Sequence, residues 1–373
     1  MVLDLSEAVT YHYNEFPPVS LNYPIFLEAF GQATDALARY DQMLKTMHNT
    51  EIFLAPLRYQ EAVISSRMEG TISTMDEILR FDADHGESDA IHSNVRNDVI
   101  ETVLYRRALV SAQQALTDGY PFSSSLIKGI HQRLLSLGRG ASKSPGMFKD
   151  EQNYLADQRR RKILFIPISP ESLSAGLDTL FQFIENDRQP LLLKTALSHV
   201  EFEALHPFKD GNGRIGRMLI TLMLWRYGAI SAPHFYISGF FEDNKDQYID
   251  LMRRVSEKGE WSEWCLFFMQ AIHQQALSNL SVAESIRNLY DEMKALFTQE
   301  MPSRWNIAAL DFIFTTPVFR NNKFTSNAGI PAPTAAKISR MMVEKGLLET
   351  LEESSGRRPA LYAFEPLLKL VRV

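Results

Sequence analysis

The pattern of apolar and polar positions predicts a mainly α-helical protein. Residues 191–205, LLLKTALSHVEFEAL, carry apolar side chains at helical spacing and contain neither proline nor glycine. Residues 218–230, MLITLMLWRYGAI, are apolar on nearly every side, which is typical of a helix at the centre of a bundle. Long helical patterns also occupy the chain from Tyr23 to Leu79. We therefore expect a bundle built around two consecutive buried helices.

A β-hairpin is predicted between Lys143 and Pro167. Pro145 and Gly146 end the preceding helical pattern, and the apolar run KILFIP follows a charged turn. That turn contains RRRK at residues 159–162, and two interpretations of it remain open. A solvated turn is favoured over a docking site for acidic targets.

A winged helix-turn-helix module is predicted at the carboxyl end, over residues 324–364. Gly329 forms the turn, Pro333 to Glu344 the second helix, and LLETL and PALYAF the two wing strands. Lys337 and Arg340 on the second helix suit contact with DNA phosphates. The helix has few side chains suited to base edges, so DNA binding and a role in dimerisation or domain packing both remain open.

Composition places the chain among soluble globular enzymes. Its 373 residues exceed what one core normally organises, so two or three packed units are expected. A net charge of -6 and a pI near 5.9 give no overall attraction to nucleic acid. No apolar stretch is long enough to span a bilayer and no signal peptide is recognisable, so we expect a cytoplasmic protein without membrane contact. The single cysteine, Cys265, has apolar neighbours typical of a buried thiol.

The segment from His206 to Arg217, HPFKDGNGRIGR, has the residues of a phosphate-binding turn at the head of a helix. Gly211 and Gly213 allow backbone N–H groups to approach phosphate oxygens closely. Arg214 and Arg217 are three positions apart, so they lie on one helical face and can bind the same polyphosphate.

Two further side chains of this segment suit catalysis. His206 lies just before the turn, where an imidazole can take a proton from an attacking hydroxyl group. Asp210 suits a magnesium ion, because Mg²⁺ binds through one or two carboxylates together with phosphate oxygens. A polar helix cap with an exposed histidine is the plainer alternative. A P-loop fits poorly, because the lysine followed by serine or threonine is missing.

The segment resembles the signature of the Fic family, because every fixed position of HPFxxGNGRxxR is matched. This resemblance implies a helical domain that transfers AMP from ATP to a protein hydroxyl, with His206 as the base and Asp210 as the metal ligand. It also implies ATP contacts along the turn, the helix that follows it and two distant positions: Asp210, Gly211, Asn212, Gly213, Arg214, Ile215, Gly216, Arg217, Glu69 and Tyr248.

A second segment, SSRMEG, resembles the inhibitory motif of the same family. The matching residues are Ser65, Glu69 and Gly70. A carboxylate paired with Arg217 would occupy donors that the γ-phosphate of ATP needs, and its charge would repel that phosphate. The resemblance therefore implies an enzyme that Glu69 inhibits from within the same chain.

The predicted hairpin resembles the flap of Fic proteins, which pairs with the backbone of a target protein. The resemblance places four residues on the target-binding strand: Asn153, Tyr154, Leu155 and Ala156. Main-chain pairing makes few demands on side chains, so sequence-diverse target loops are expected. Lys149 stands where the family often has arginine.

Two interpretations remain open for each of three further residues, Tyr248, Tyr236 and His199. The family counterpart of Tyr248 packs near the adenine, so Tyr248 is either an adenine contact or an ordinary core residue. The same two interpretations apply to Tyr236. His199 is seven residues before His206 and would share its face, which suggests a metal site, but no third ligand has a workable spacing. Aromatic residues at helical spacing further on predict core packing: Trp261, Trp264, Phe267 and Phe268.

The sequence predicts three units: an amino-terminal helical region carrying the inhibitory motif (1–95), a Fic core (96–290) and a winged-helix module (291–373). Its predicted function is a self-inhibited protein adenylyltransferase that uses ATP and Mg²⁺ and modifies Ser, Thr or Tyr hydroxyls, including its own. Family resemblance implies a homodimer. The alternatives are removal of AMP, with Glu69 orienting a water molecule, and a DNA-binding regulator whose Fic fold senses nucleotide.

Overall fold

The computed structural model describes residues 5–85, 95–157, 162–300 and 303–373. It confirms a mainly helical fold. The described helices are α1 (Tyr23–Leu44), α2 (Glu51–Met68), α3 (Met75–His85), α4 (Asn97–Thr117), α5 (Ser124–Leu134), α6 (Pro170–Asn186), α7 (Leu191–Leu205), α8 (Asn212–Arg226), α9 (Ser238–Asp243), α10 (Lys245–Lys258), α11 (Trp261–Glu300), α12 (Asn306–Thr315), α13 (Lys323–Ala328), α14 (Ala332–Glu344) and α15 (Glu365–Val371).

Within the described residues, two small sheets accompany the helices. In the first, β1 (Val9–Thr10) pairs in parallel with β3 (Lys162–Ile166), which pairs antiparallel with β2 (Leu155–Asp157). The hairpin β2–β3 is the predicted flap, and β1 is a strand that the sequence pattern did not predict. Arg159, Arg160 and Arg161, in the charged turn, lie outside the described residues.

The second sheet belongs to the carboxyl-terminal region and has the order β4 (Val318–Arg320), β6 (Leu361–Phe364), β5 (Leu348–Glu352). Strands β5 and β6 lie at the positions predicted for the wing, and Gly329 and Gly346 have the left-handed φ expected at the ends of α13 and α14. Lys337 and Arg340 are exposed on α14. The winged-helix assignment and DNA contact remain predictions. So do the unit boundaries, and α11 passes through the boundary proposed after residue 290.

Helices α7 and α8 form the centre of the bundle. Nearly every residue of α7 is buried, as are the residues of α8 from Asn212 to Leu224. Trp264 of α11 is buried and donates its indole N–H to the carbonyl of Ala196 at 2.8 Å, so the long helix α11 is fixed against α7. None of the described helices is both long enough and apolar enough to cross a membrane.

A buried carboxylate attaches the amino-terminal segment to this centre. Glu201 of α7 is fully buried and accepts hydrogen bonds from the Tyr11 hydroxyl at 2.7 Å and from the His12 ring at 2.8 Å. The His12 ring lies edge-on against Trp261. Polar contacts within an apolar core therefore orient both α11 and the amino-terminal segment against α7. An unpaired polar group would be costly in that core.

We expect Tyr11→Phe to lower the free energy of unfolding by about 2 kcal/mol, because it removes a buried hydrogen bond to a charged group. Urea denaturation checks this. Tyr120→Phe is the matched control, because Tyr120 is 64% exposed. Equal stability of the two variants would contradict the expectation.

Candidate functional site

The site begins at the turn between α7 and α8. His206 ends α7 in the left-handed region with φ of 45°, and Gly211 precedes α8 with φ of 81°. No side chain caps the amino terminus of α8. The Asn212 side chain braces the turn, accepting from the Phe208 N–H at 2.9 Å and donating to the Phe208 carbonyl at 2.8 Å. The first N–H groups of α8 thus lie in a braced turn, an arrangement that suits an anion.

His131 of α5 packs against this turn and forms a hydrogen bond to its backbone. Its ring stacks on Phe208 at 3.9 Å between centroids. Nδ1 accepts from the Gly146 N–H at 2.8 Å, so Nε2 carries the proton and donates to the Asp210 carbonyl at 3.1 Å. Sequence reasoning missed His131, because it lies 75 positions before His206 and belongs to no recognised motif.

Lys149 and Asn153 hold the turn from the flap side. The buried Lys149 donates from Nζ to the Leu205 carbonyl at 3.0 Å and to the Asn153 side chain at 2.9 Å. Asn153 donates to the carbonyls of His206 and Phe208, both at 3.1 Å. The lysine that replaces the family's usual arginine therefore has a structural contact. Its ammonium group is desolvated, which lowers the pKa of Lys149 to about 7.

His206 has the properties of a base. Burial, together with the charge of Lys149, lowers the pKa of His206 to about 4, so the imidazole is neutral at pH 7. Its Nδ1 has no hydrogen-bond partner among the described residues. A neutral imidazole with an available nitrogen can accept a proton from a nearby hydroxyl group.

Arg217 and the SSRMEG segment meet as the resemblance implied. Arg217 is 3% exposed and donates to the Ser65 hydroxyl at 2.9 Å, the Ser65 carbonyl at 2.8 Å and Glu69 Oε1 at 2.8 Å. Burial alone would raise the pKa of Glu69, but the charge and hydrogen bond of Arg217 hold it below its usual value. Gly70 has φ of 85° and ends the turn after α2.

Gly213 allows Glu69 to approach α8 closely. A Cβ atom at position 213 would lie 2.3 Å from Glu69 Oε1 and 3.0 Å from an Arg217 nitrogen. The glycine therefore has two uses in this turn: it exposes the backbone at the head of α8, and it leaves room for the carboxylate beside Arg217.

Arg214 lies in a second polar cluster. It is 2% exposed, with Nη2 3.5 Å from Asp210 Oδ1 and Nη1 4.0 Å from Glu101 Oε2. Its Nε and Nη1 have no hydrogen-bond partner among the described residues. Glu101 of α4 also accepts from Thr71, which follows the SSRMEG segment, at 3.0 Å. Sequence reasoning did not find Glu101, because nothing in its local pattern distinguishes it from other helical glutamates.

The remaining predicted residues divide between the core and a cavity. Ile215 is fully buried in the core. Tyr248 is buried and bonds to His199 at 2.8 Å, and the other nitrogen of that ring lies 3.2 Å from the Gly216 carbonyl. Tyr154 and Leu155 are exposed on the flap. Leu155 and Ala156 also line a cavity of about 190 Å³ beside α7.

Comparison with known proteins identifies the family. Residues 27–114 match the family model "Fic/DOC family N-terminal" and residues 121–224 match "Fic/DOC family". A Fido domain-containing protein of Dictyostelium discoideum is 31% identical over 156 residues, which are 39% of this chain and 99% of that protein. The chain belongs to the Fic/DOC family.

Other relatives match over shorter shares of their length. A probable protein adenylyltransferase of Aquifex aeolicus is 24% identical over 160 residues, 41% of this chain and 45% of that protein. A uridine 5'-monophosphate transferase of Xanthomonas campestris is 35% identical over 72 residues, 17% of this chain and 13% of that protein. The chain thus spans less than half the length of these two relatives, both named for a transferase activity.

Solved structures support the fold. A Fic family protein from Desulfovibrio desulfuricans superimposes with a TM-score of 0.57 at 17% identity, over 93% of this chain and 98% of that one. Similarity at this level of identity shows that the chain has the Fic fold.

The buried imidazoles make stability dependent on pH. Burial lowers the pKa of His131 to about 4, of His199 to about 3 and of His206 to about 4. Unfolded imidazoles have a pKa of about 6.5, so the unfolded state binds more protons and stability is lost as pH falls from about 6.5 toward 4. We expect His131→Gln to make the free energy of unfolding depend less steeply on pH, because the variant takes up about one proton fewer on unfolding. Urea denaturation at several pH values across that range measures the slope. An unchanged slope would contradict a neutral, buried His131.

Proposed function

We propose that the protein transfers AMP from ATP to serine, threonine or tyrosine hydroxyls of target proteins, itself included, and that Glu69 restrains this activity. One observation carries the proposal. Arg217, at the head of α8 and beside an open anion-binding turn, is occupied by Glu69 and Ser65 of a different helix. The relative from Aquifex aeolicus, named a probable protein adenylyltransferase, supports the nature of the reaction.

The turn from Asp210 to Arg217 is the proposed site for the phosphates of ATP. Backbone N–H groups at the head of α8 favour negative charge. Arg214 contributes a buried guanidinium group, and its Nε and Nη1 have no partner in the part of the chain that the structure describes. A phosphate oxygen would satisfy these donors, because Arg–phosphate contacts are strong, charge-assisted hydrogen bonds.

His206 is the proposed general base. The neutral imidazole takes the proton of the target hydroxyl as that oxygen attacks the α-phosphorus of ATP. A new P–O bond forms to the target, and the bond between the α-phosphorus and the bridging oxygen breaks. Pyrophosphate leaves with the bonding electrons, and Arg214 and Arg217 stabilise its charge.

Asp210 fits a magnesium ion. Its side chain is 40% exposed, and Oδ1 accepts from the Gly211 N–H at 2.6 Å, which holds the carboxylate at the mouth of the turn. A single carboxylate suits Mg²⁺, which takes its other ligands from phosphates and water. When bound, the ion would offset phosphate charge.

The Glu69–Arg217 ion pair is the proposed brake. While the pair is intact, the donors of Arg217 are occupied and the Glu69 carboxylate repels the outer phosphates. Two properties rest on the family resemblance and are proposed with the function: target pairing by Asn153 to Ala156 on the flap, and a homodimer. A cytoplasmic location is proposed from the sequence pattern, and the winged-helix pattern leaves DNA contact by α14 and a role in dimerisation or domain packing as alternatives.

We expect Glu69→Gly to gain the mass of one or more AMP groups when incubated with Mg²⁺ and ATP, because Arg217 becomes available to the phosphates. Adding His206→Ala should abolish the gain by removing the base. Intact-protein mass spectrometry with α-phosphate-labelled ATP makes the measurement.

The matched control is Glu353→Gly, which replaces an exposed loop glutamate. It should remain as inactive as the wild type. If Glu69→Gly binds nucleotide but no variant is labelled, self-modification is ruled out and a nucleotide sensor or transfer of another group is favoured. Labelling that persists without His206 would contradict its role as the base.

A further inference from the structure

A cavity of about 520 Å³ lies between the amino-terminal helices α2, α3 and α4 and the segment from α12 to α13. Pockets that bind small molecules have volumes of about 300 to 1,000 Å³, so this cavity is large enough to hold one. Among the described residues that line it, none belongs to α7, α8 or the flap. The cavity is therefore separate from the candidate site at the head of α8.

Hydrogen bonds next to the lining residues hold the two walls of the cavity together. Arg320 of β4 donates from Nε to Asp84 of α3 at 2.7 Å, and Gln60 of α2 donates to the Val371 carbonyl of α15 at 2.8 Å. Arg320, Asp84 and Gln60 each directly follow a lining residue in the chain. The cavity thus belongs to a structured interface between the amino-terminal helices and the carboxyl-terminal region.

The charged side chains that line the cavity leave one positive charge in excess. They are Glu51, Arg58, Asp82, Arg106 and Lys323. Both carboxylates have a cationic partner, because Glu51 pairs with Arg58, and Asp82 pairs with Arg106 at 2.7 Å. The half-buried Lys323 has no ion pair or hydrogen bond through its ammonium group among the described residues. An anion in the cavity would neutralise this charge.

Arg58 offers further donors to such an anion. Its Nη1 and Nη2 both donate to Glu51, and a guanidinium group has N–H donors beyond those that one carboxylate uses. Arg58 belongs to α2 and Lys323 to α13, on opposite walls. A carboxylate or phosphate group between them would accept charge-assisted hydrogen bonds from both.

Apolar side chains complete the lining and set the other requirement on a ligand. They include Ala55 on α2, Leu79 on α3 and Phe319 on β4, all of which are buried. An apolar ligand body against these side chains would be removed from water, which is favourable. The lining therefore suits a molecule with one anionic group and an apolar remainder, and suits an inorganic ion poorly.

We propose that this cavity binds a small organic anion, in which a carboxylate or phosphate group contacts Lys323 and Arg58 and an apolar body contacts Leu79 and Phe319. Binding across both walls would stabilise the packing of α2 against the carboxyl-terminal region. Because Glu69 directly follows α2, the same ligand would favour the Glu69–Arg217 pair. Only its effect on the proposed brake rests on the proposed function.

The test measures binding of benzoate, phenyl phosphate and benzylamine to the wild-type protein by calorimetry. We expect both anions to bind with a Kd of about 1 mM or below. Benzylamine, a cation of similar size, should bind about tenfold more weakly or not at all, because Lys323 repels it. The tighter of the two anions identifies the anionic group that the cavity prefers.

Two variants assign the binding to this cavity. Lys323→Gln removes the excess charge and should weaken both anions about tenfold. Ala55→Leu fills part of the cavity without changing any charge and should abolish binding. Lys294→Gln, at an exposed position of α11, is the matched control and should bind as the wild type does. Circular dichroism checks folding, and if Ala55→Leu does not fold, Lys323→Gln decides.

Two results would overturn the proposed site. One is a folded wild-type protein that binds neither anion. The other is binding that is unchanged in Lys323→Gln and in folded Ala55→Leu, because the anion would then lie elsewhere, for example on the turn before α8. None of these measurements uses nucleotide or AMP transfer, so failure of the proposed function and failure of this site are distinguishable.

Hydrogen exchange followed by mass spectrometry tests the coupling to Glu69. The tighter anion should slow amide exchange at residues 65–70 of the wild-type protein, because it stabilises α2 in its present position. It should slow exchange less in Lys323→Gln at the same concentration. Unchanged exchange at residues 65–70 with the anion bound would overturn the coupling.

Discussion

The buried charge of Arg217 is the constraint on which the arrangement of this site depends. A guanidinium group that is 3% exposed must have partners, because an unpaired buried charge costs several kcal/mol, of order 3 to 5. Ser65 and Glu69 provide them, and both lie at the carboxyl end of α2. The position of α2 is thus coupled to the charge at the head of α8. A phosphate that replaced Glu69 would satisfy the same donors, which is how a structural ion pair can also control access to a site.

The turn between α7 and α8 is held by hydrogen bonds to its backbone on two sides. Three carbonyl groups of the turn, at Leu205, His206 and Phe208, accept hydrogen bonds from Lys149 or Asn153. His131 holds the next carbonyl, at Asp210, from the opposite side. These contacts stabilise the left-handed conformation of His206, which a histidine adopts only at some energetic cost. The imidazole of His206, the proposed base, is therefore positioned by hydrogen bonds to its own backbone and to that of its neighbours.

Burial shifts several ionisable groups of this site toward their uncharged forms. Desolvation lowers the pKa of Lys149 and His206 and raises that of Glu203, in each case toward the uncharged form. Arg217 and Glu69 keep their charges because they neutralise each other. The site thus combines two buried guanidinium groups, each beside a carboxylate, with groups whose pKa burial shifts toward the uncharged form.

The sequence by itself determined the helical class and the positions of α7 and α8, and the family resemblance of its two motifs implied the meeting of Glu69 with Arg217. Apolar periodicity and glycine placement are local properties, and the two motifs fix many residues in order. The tertiary structure alone decided the rest. His131 and Glu101 have no local signal, because their contacts are with residues far along the chain. Strand β1, of only two residues, likewise depends on distant partners, because it pairs with Phe165 and Ile166 of β3 and is followed by Tyr11 and His12, which bond to Glu201. Burial, and therefore protonation, is a property of the packed molecule and cannot be obtained from residue order.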